Sequence, residues 1–338
     1  MRVALIGSGY IARRHAAAIR SCGAELAAAV NWRPESLARL AAELDVPRTY
    51  ASLKELLAAG DVDAAVVCTP NALHAPQAET LLGAGLHVLV EKPMAADAAQ
   101  ARAMAAAASR SGRTLMVAHC WRFDSEVMHL RAYVQAGELG AIVRTRGYGI
   151  HTGWGPGGWF ADPALSGGGA LADMGVHAID TARFLLGDPR AAAVYAHIGT
   201  HYGEGRVDDT ALLMITWEGG AVSYVEAGWR HPHTDGPAAA TQLYGTQGFG
   251  QLFPTTLKLR RHDRTAEVRP SFPPRADHTP QQMYDRQMAA FLHAARTGEP
   301  ASPGPEDGLE IMQIVDAAYE SGRTGAAVQL LRSSEVGG

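Results

Sequence analysis

Val3-Ala-Leu-Ile6 runs straight into Gly7-Ser-Gly-Tyr-Ile-Ala12, and this opening stretch decides the fold of the chain. The first segment is apolar and of strand length, and residues 12–19 are typical of a helix. The pattern G-x-G-x-x-G/A, with a strand before it and a helix after it, indicates a βαβ unit that binds a dinucleotide. The alternative is a glycine-rich turn that holds no ligand.

Each small residue of this turn has a physical role. Gly7 permits the tight turn, Gly9 lets the backbone approach a pyrophosphate, and Ala12 keeps the helix close to the strand. The unpaired N–H groups and the positive dipole end at the helix N-terminus favour phosphate groups. We therefore expect a dinucleotide to bind at this turn, in contact with Gly7, Gly9, Tyr10, Ile11 and Ala12.

The second predicted strand, residues 25–30, ends where this fold usually distinguishes NAD from NADP. An acidic residue about 20 positions after the glycine turn commonly holds the ribose 2′-hydroxyl of NAD. Asn31 occupies that position without a charge, and Arg33 offers a guanidinium that would accept a 2′-phosphate. The sequence therefore predicts a preference for NADP over NAD, with Trp32 or Arg33 on the adenine face. The alternative for Arg33 is a solvated turn residue.

Strands and helices of ordinary length alternate as far as residue 120. This alternation predicts a doubly wound parallel sheet, which makes residues 1–120 a Rossmann dinucleotide-binding domain. Between residues 193 and 261 strand-like runs follow one another without helices, which is typical of an antiparallel sheet. We expect residues 121–338 to form a second α/β domain for substrate binding and oligomerisation. A sheet with helices on one face leaves its other face to be covered by another subunit.

Composition argues against several classes of partner. The 338 residues are 47% hydrophobic and 19% charged, which allows a large core, and the net charge of −4 comes without a basic run. Nucleic acid and anionic membranes are therefore poor candidates. The strand signal begins at residue 2 and no apolar run reaches membrane-spanning length, so we expect a cytoplasmic protein. Cys22, Cys68 and Cys120 lie far apart without a C-x-x-C, which fits reduced thiols and neither a zinc site nor a disulfide framework.

Polar side chains follow the strand predicted at residues 63–68. Ligands of open α/β sheets bind beyond the carboxyl ends of the strands, so the loop with Thr69, Asn71 and His74 is expected to face the cofactor. The amide of Asn71 suits a bond to ribose or phosphate. His74 fits the start of the next helix better than a catalytic position.

Lys92 follows the next strand, between Glu91 and Pro93. Proline holds the preceding residue extended, which fixes the backbone of Lys92 and aims its ammonium group. A lysine near a nicotinamide and a polar substrate can exchange a proton with a carbonyl or hydroxyl. The reference pKa of lysine is about 10.4, so service as a base requires burial or a cofactor charge to lower it. The alternative is a surface lysine in an ion pair at the strand end.

A further set of polar residues lies on an apolar helix predicted over residues 170–185. Asp173 and His177 are four positions apart and share one helix face, and Asp180 follows as an expected structural partner. The imidazole exchanges protons near neutral pH, and Asp173 can anchor a substrate hydroxyl or support protonated His177. Two alternatives for His177 stay open. One is that His177 binds a metal ion, although no second histidine or cysteine lies within motif distance. The other is that His177 is a buried structural histidine.

Together these motifs resemble the Gfo/Idh/MocA oxidoreductase family. The resemblance rests on the glycine turn, on Thr69-Pro-Asn71 with His74, on Glu91-Lys-Pro93, on the Gly-Gly-Gly-Ala-Leu-Ala-Asp-Met-Gly-Val-His run at 167–177, and on Tyr244-Gly-Thr-Gln-Gly248. These motifs occur in the family's order across almost the whole chain. The resemblance implies a Rossmann domain followed by an α/β domain with an open, mostly antiparallel sheet. It also implies homodimers or homotetramers assembled through that sheet.

The activity implied by the resemblance is hydride transfer between NAD(P) and a secondary alcohol of a sugar, sugar derivative or cyclitol, or its ketone. Lys92, Asp173 and His177 match the family's catalytic positions, where they would also contact the substrate. Asn71 and Glu91 would contact the cofactor, as would Lys92.

Two further residues are candidates for substrate binding. Arg122 matches the family's domain crossing, where an arginine often reaches the substrate; the alternative is a domain-interface ion pair. Trp159 lies in a loop rich in glycine and tryptophan and could line the pocket, since aromatic rings pack well on sugar faces, although buried tryptophan is often simply core.

Two rival functions stay open beside a sugar or cyclitol dehydrogenase or keto-sugar reductase. One is a glycoside hydrolase of the same family that uses bound NAD transiently, with no net change in its redox state. The other is a non-catalytic regulator that senses NAD(P). Loss of the lysine or the histidine would be its expected signature, and both Lys92 and His177 are present.

Overall fold

The computed structural model describes residues 1–203, 205–234, 236–262, 264–275 and 279–330. Contacts within the chain divide it into two units. The first unit combines residues 1–120 with residues 281–312, and the second combines residues 121–280 with residue 313 onward. The first unit thus includes a late segment of the chain in addition to residues 1–120. The division into domains 1–120 and 121–338 stays a prediction.

Short apolar segments of the first unit pair into one parallel sheet. Its strands are β1 (Arg2–Ile6), β2 (Glu25–Val30), β3 (Thr49–Tyr50), β4 (Ala64–Val67), β5 (His87–Glu91) and β6 (Leu115–Ala118). Their order across the sheet is β3-β2-β1-β4-β5-β6, which is that of the doubly wound dinucleotide-binding fold. The order reverses between β1 and β4, and such sheets bind ligands at this switch point, beyond the carboxyl ends of the strands. The predicted parallel sheet is confirmed.

Helices alternate with these strands, and local sequence signals set their starts. The helices are α1 (Tyr10–Ser21), α2 (Pro34–Leu44), α3 (Leu53–Ala59), α4 (His74–Gly83), α5 (Ala98–Ser111) and α9 (Gln281–Thr297). The side chains of Ser52 and Asp97 accept hydrogen bonds from N–H groups in the first turns of α3 and α5. The late helix α9 packs on α1, where the Gln281 side chain donates to the Arg14 carbonyl oxygen.

The second unit is built on a mixed sheet. Its strands are β7 (Ile142–Thr152), β8 (Ala191–Gly199), β9 (Thr210–Trp217), β10 (Val222–His231), β11 (Ala239–Gly245), β12 (Gly248–Leu252), β13 (Thr256–Arg261), β14 (Arg264–Val268) and β15 (Val328–Gln329). Its helices are α6 (Ser125–Gln135), α7 (Pro163–Ser166) and α8 (Val176–Leu185), and α10 (Pro305–Thr324) begins in the first unit and ends in the second. The strand order is β14-β13-β12-β11-β7-β10-β9-β8-β15. In the described part of the chain every neighbouring pair is antiparallel except β7 and β10, which confirms a mostly antiparallel sheet.

Glycines on β7 allow α8 and the turn before it to lie close to the sheet. A Cβ on Gly149 would lie 2.9 Å and 3.1 Å from side-chain carbons of Met174. A Cβ on Gly147 would lie 3.6 Å from the carbonyl oxygen of Ala178. A larger residue at Gly149 would push the helix away, whereas a Cβ at Gly147 would make an ordinary contact, so Gly149 helps to set where the polar side chains of the helix lie.

The helix predicted over residues 170–185 is not regular. Leu171–Gly175 form a π-helical turn, and the α-helix α8 begins only at Val176. Asp173 lies in the π-turn and His177 in the first turn of α8. Such π-turns inside helices are frequent at functional sites, and amphipathic spacing alone does not reveal them.

One face of the mixed sheet carries a row of exposed apolar side chains. Tyr195, Met214 and Tyr224 are direct neighbours on β8, β9 and β10. Their exposed fractions are 44%, 50% and 43%, whereas the next residues along β9, Leu213 and Ile215, are buried on the opposite face. Association of a second subunit with this row stays a prediction.

No helix in the ranges that the structure describes is long and apolar enough to cross a membrane.

Candidate active site

The glycine turn after β1 has the geometry of a phosphate-binding turn. Gly7 has a φ of +106°, and a Cβ on it would lie 2.7 Å from the carbonyl oxygen of Cys68, so only glycine fits. Gly9 precedes α1, and a Cβ there would meet no atom within 4 Å. Within the described residues no side chain caps the start of α1, which leaves its first N–H groups for a ligand. This arrangement fits the pyrophosphate of a dinucleotide.

The first turn of α1 presents three different environments. Tyr10 is exposed, Ile11 is half-buried and Ala12 is fully buried. The burial of Ala12 agrees with its predicted role of keeping the helix close to the sheet. Tyr10 and Ile11 supply the first backbone N–H groups of the helix.

Asn31, directly after β2, is held by two hydrogen bonds. Its Oδ1 accepts from the Arg33 N–H at 3.0 Å, and its Nδ2 donates to Ser8 Oγ in the glycine turn. The Arg33 guanidinium lies over the Trp32 ring, 4.7 Å from the ring centre, and both side chains are exposed. The structure therefore places an uncharged amide beside the glycine turn, with a cation two residues away.

The loop after β4 is tied to the turn after β5 by His74. Its Nε2 lies 2.9 Å from the Thr69 carbonyl oxygen, and its Nδ1 lies 2.8 Å from the Pro93 carbonyl oxygen. Burial lowers the pKa of His74, against the effect of these two carbonyl groups. Both ring nitrogens thus face the protein backbone. Asn71 lies buried in a short 3₁₀ turn of the same loop. The cofactor contacts of Thr69, Asn71 and His74 stay predictions.

Lys92 lies half-buried at the end of β5, and Glu91 holds its backbone. The Lys92 N–H donates to Glu91 Oε2 at 3.1 Å. The other carboxylate oxygen, Oε1, accepts from His15 Nε2 of α1 at 2.7 Å. Burial alone would raise the pKa of Glu91, but the hydrogen bond from His15 and the charge of Lys92 hold it below its ordinary value. Glu91 is therefore ionised at neutral pH. The sequence patterns do not single out His15, and only the folded structure reveals its contact.

In the second unit, an indole ring contacts each of Asp173 and His177. Asp173 Oδ2 accepts a hydrogen bond from Trp229 Nε1 at 3.0 Å. The ring of His177 stacks on Trp121, with 4.6 Å between ring centres and 18° between planes. The carboxylate and the imidazole therefore have defined orientations on the π-turn and the first turn of α8.

Arg122 lies in a buried ion pair within the second unit. Its Nη2 lies 2.6 Å from Asp180 Oδ1 and 3.1 Å from Asp188 Oδ1, and its Nε donates to Asp180 at 2.9 Å. Asp180 is thus the structural partner that the sequence predicts. The bond fixes α8 to the 3₁₀ turn at Cys120–Phe123. Contact of Arg122 with a substrate stays a prediction.

Asp208 anchors the start of the segment that carries Asp173. Its carboxylate accepts hydrogen bonds from the N–H groups of Gly169 and Leu171, each at 2.8 Å, and from the Tyr319 hydroxyl at 2.8 Å. A Cβ on Gly169 would collide with the Asp208 backbone, which explains a glycine at this position. The local patterns do not reveal this anchor, because its partners are far apart along the chain.

The glycine- and tryptophan-rich loop after β7 carries stacked aromatic pairs. Trp159 stacks on Phe160 with 3.8 Å between ring centres, in a 3₁₀ turn. The exposed ring of Trp154 stacks on His151 at 3.9 Å. The backbone of this loop is fixed to β10, since the Arg230 N–H donates to the Trp154 carbonyl oxygen at 2.8 Å. A substrate contact of Trp159 stays a prediction.

The structure brings some of the predicted site residues together within each unit. In the first unit Asn31 meets the glycine turn, and His74 meets the turn that carries Lys92. In the second unit Asp173 and His177 lie on one continuous segment. Among the residues described, no cluster of three or more His, Cys, Asp and Glu side chains is placed to hold a metal ion.

Two family models match the chain in tandem. The model described as "Oxidoreductase family, NAD-binding Rossmann fold" matches residues 1–119, and the model of the GFO/IDH/MocA C-terminal domain matches residues 127–249. The first match agrees with the glycine turn and the strand order of the first sheet. The nicotinamide dinucleotide predicted from the glycine turn is thereby confirmed as the cofactor class.

Curated relatives and solved structures span nearly the whole chain. D-xylose 1-dehydrogenase (NADP(+)) 2 of Haloferax volcanii is 33% identical over 90% of this chain and 92% of its own. Inositol 2-dehydrogenase of Rhizobium meliloti is 27% identical over 95% of this chain and 96% of its own. The structure of aldose-aldose oxidoreductase from Caulobacter crescentus, complexed with glycerol, has a TM-score of 0.85 at 27% identity and covers 98% of this chain and 99% of its own.

Because the Asp208 carboxylate accepts three hydrogen bonds, its removal should strongly destabilise the second unit. Asp208→Ala leaves the Gly169 N–H, the Leu171 N–H and the Tyr319 hydroxyl without their acceptor. At about 1–3 kcal/mol for each unsatisfied buried group, the free energy of unfolding should fall by about 3 kcal/mol or more. Tyr319→Phe removes one of these bonds and should lower it by about 1 kcal/mol.

Denaturant unfolding followed by tryptophan fluorescence measures this loss, because five of the six tryptophans lie after residue 120. Equal unfolding free energies for the two variants would show that Asp208 does not anchor the segment.

Proposed function

This chain belongs to the GFO/IDH/MocA family of oxidoreductases, and from that premise we propose that it transfers hydride between a nicotinamide cofactor and a secondary hydroxyl of a sugar, sugar derivative or cyclitol. Family membership bears out the resemblance drawn from the motifs. One observation carries the proposal: a chain with an NAD-binding domain also holds polar groups that can exchange protons. These groups are Lys92 and the pair Asp173 and His177, and their backbone or ring positions are fixed. The xylose and inositol dehydrogenases among its relatives support the substrate class.

The first unit would hold the cofactor through its glycine turn. The uncapped start of α1 suits the pyrophosphate, and Asn31 and Arg33 suit the adenosine ribose. When bound, the nicotinamide supplies the acceptor or donor of the hydride. The protein supplies orientation and proton transfer.

His177 and Lys92 would handle the hydroxyl proton. During oxidation the substrate loses hydride from carbon and a proton from oxygen, and His177 takes that proton because an imidazole titrates near neutral pH. During reduction the same group returns it. Lys92 donates a hydrogen bond to the reacting oxygen. Asp173, oriented by Trp229, holds a hydroxyl or supports the protonated imidazole.

The cofactor preferred in our proposal is NADP. Asn31 carries no charge that would repel a 2′-phosphate, and the guanidinium of Arg33 is exposed above Trp32. The relative from Haloferax volcanii is named as NADP-dependent.

We also propose that the chain forms homodimers or homotetramers through the exposed face of its mixed sheet. The row of Tyr195, Met214 and Tyr224 offers an apolar surface that a second copy of the same face would cover. The proposed partner in catalysis is a small sugar or cyclitol, not a nucleic acid or a membrane, and the proposed location is the cytoplasm.

Loss of either proton-transfer residue should reduce turnover and spare the binding of the cofactor. A panel of sugars, sugar acids and cyclitols, scored by the absorbance of reduced nicotinamide, first identifies the substrate. On that substrate Lys92→Met and His177→Ala should each lower kcat by about 10²-fold or more, the usual scale for an acid–base group. The double variant should lose much less than the product of both effects if the residues act as a unit.

Lys54→Met is the matched control, because Lys54 is an exposed lysine on α3 of the same unit. Near-wild-type kcat in the Lys92 or His177 variant would refute the catalytic assignment. A bound cofactor whose redox state never changes while a glycoside is cleaved would favour the hydrolase, and absence of any turnover would favour the regulator.

Cofactor preference should reverse when a charge replaces the amide of Asn31. Asn31→Asp keeps the acceptor for the Arg33 N–H and can accept from the Ser8 hydroxyl, so the local structure should persist. The added charge should raise the Kd of NADP by about tenfold or more and leave that of NAD nearly unchanged.

Arg33→Ala should also weaken NADP alone, whereas Arg39→Ala, an exposed arginine of α2, should not. Titration calorimetry gives these constants. Wild-type protein that binds NAD at least as tightly as NADP would contradict the preference.

Self-association should depend on the exposed apolar row. Met214→Glu places a charge at the centre of that row and should shift the molar mass measured by light scattering at micromolar concentration toward the monomer. Met128→Glu is the matched control, because Met128 on α6 is equally exposed, at 49% against 50%, but lies away from the sheet face. A monomeric wild type, or an equal shift in both variants, would count against this surface.

A further inference from the structure

A buried chain of hydrogen bonds leads from α1 to the backbone of Lys92. His15 Nε2 donates to Glu91 Oε1 at 2.7 Å, and Glu91 Oε2 accepts from the Lys92 N–H at 3.1 Å. The His15 side chain is completely buried and that of Glu91 is 9% exposed. Each carboxylate oxygen therefore has its own partner, and rotation of the carboxylate would break both bonds.

Stabilisation of the fold alone does not account for these two hydrogen bonds of Glu91. A buried polar pair is often no more stabilising than an apolar pair of the same volume, because its polar groups lose their hydration. An apolar pair in the same place would remove the acceptor of the Lys92 N–H. What the carboxylate adds is direction, since it fixes one donor on α1 and one donor on the backbone at the site of the proposed proton transfer.

We propose that His15 and Glu91 are positioning residues for Lys92, with His15 orienting the Glu91 carboxylate and Glu91 holding the Lys92 backbone. This proposal rests on the proposed role of Lys92 in proton transfer. The helix that carries His15 begins at the glycine turn. The segment that would bind the cofactor phosphates thus also fixes the lysine.

The Glu91 carboxylate also sets the charge near Lys92. The charge of Lys92 lowers the pKa of Glu91, and the same pairwise attraction favours the charged form of Lys92. Groups on every element around Glu91 contribute to its electrostatic surroundings: His15 on α1, Tyr284 on α9, Cys68 after β4, His74 on α4 and Cys120 after β6. Burial raises the pKa of both cysteines, so neither thiol adds a charge near neutral pH.

The variants separate positioning from packing. His15→Leu removes the donor and keeps an apolar group of similar size, whereas His15→Gln keeps an amide N–H that can reach Glu91. Glu91→Gln keeps the shape and removes the charge. The control is Tyr284→Phe, because the Tyr284 ring packs edge-on against His15, with 5.8 Å between ring centres, and the change leaves both hydrogen bonds of Glu91 in place.

Steady-state kinetics on the holoenzyme test the proposal. His15→Leu should lower kcat by about tenfold or more, since small displacements of a reacting group are costly, and the Kd of NADP should change by less than about twofold. His15→Gln should restore most of kcat, and Tyr284→Phe should leave it unchanged. In the pH profile of kcat, Glu91→Gln should move the alkaline limb to lower pH. Lys92→Met should abolish that limb.

Different results would contradict the role of Lys92 and the positioning role of His15 and Glu91. If Lys92→Met retains wild-type turnover, the proposed function of the lysine is wrong. If Lys92→Met abolishes turnover while His15→Leu and Glu91→Gln keep the wild-type kcat and pH profile, the positioning role is wrong. If His15→Leu does not fold, His15→Gln and Glu91→Gln still decide through kcat and the pH profile.

Discussion

The close approach of Gly7 to the carbonyl group of Cys68 is the contact on which the first unit depends. A side chain at Gly7 would lie 2.7 Å from that oxygen, so any other residue would push the turn after β1 away from β4. The approach brings the start of α1 to the switch point of the parallel sheet. From there the first N–H groups of α1 are placed where they suit a pyrophosphate, and the helix carries His15 inward to Glu91. The proposed cofactor binding and the placement of Lys92 thus share one backbone contact.

In the second unit a carboxylate fixes the backbone at a similar close approach. Gly169 lies against the backbone of Asp208, and the Asp208 side chain satisfies the N–H groups at the start of the segment that carries Asp173. In both units a glycine allows close approach and a buried carboxylate fixes direction. Helix packing alone would leave these polar groups free to turn, and proton transfer requires fixed orientations.

The fold could be read largely from local patterns, because apolar runs, caps and the glycine turn act over a few residues. The short strands β3, β12, β14 and β15 could not, since pairing with neighbouring strands of the sheet makes them strands and their own sequences do not. For the candidate site too, local patterns predict some features and long-range contacts set others. Lys92, Asp173 and His177 stand out through spacing and motif, whereas the contacts of His15 with Glu91 and of Asp208 with Tyr319 join residues 76 and 111 positions apart. The π-turn at Asp173 likewise depends on packing against β7.

The central claim is net hydride transfer from a polyol carbon to the cofactor. Its most direct test uses a sugar or cyclitol deuterated at its secondary alcohol carbons, with oxidised NADP and NAD and the purified protein. The account predicts that deuterium appears on the reduced nicotinamide in equal amount to the ketone formed. A product released with no deuterium on the nicotinamide and no change in the total of reduced cofactor would contradict it.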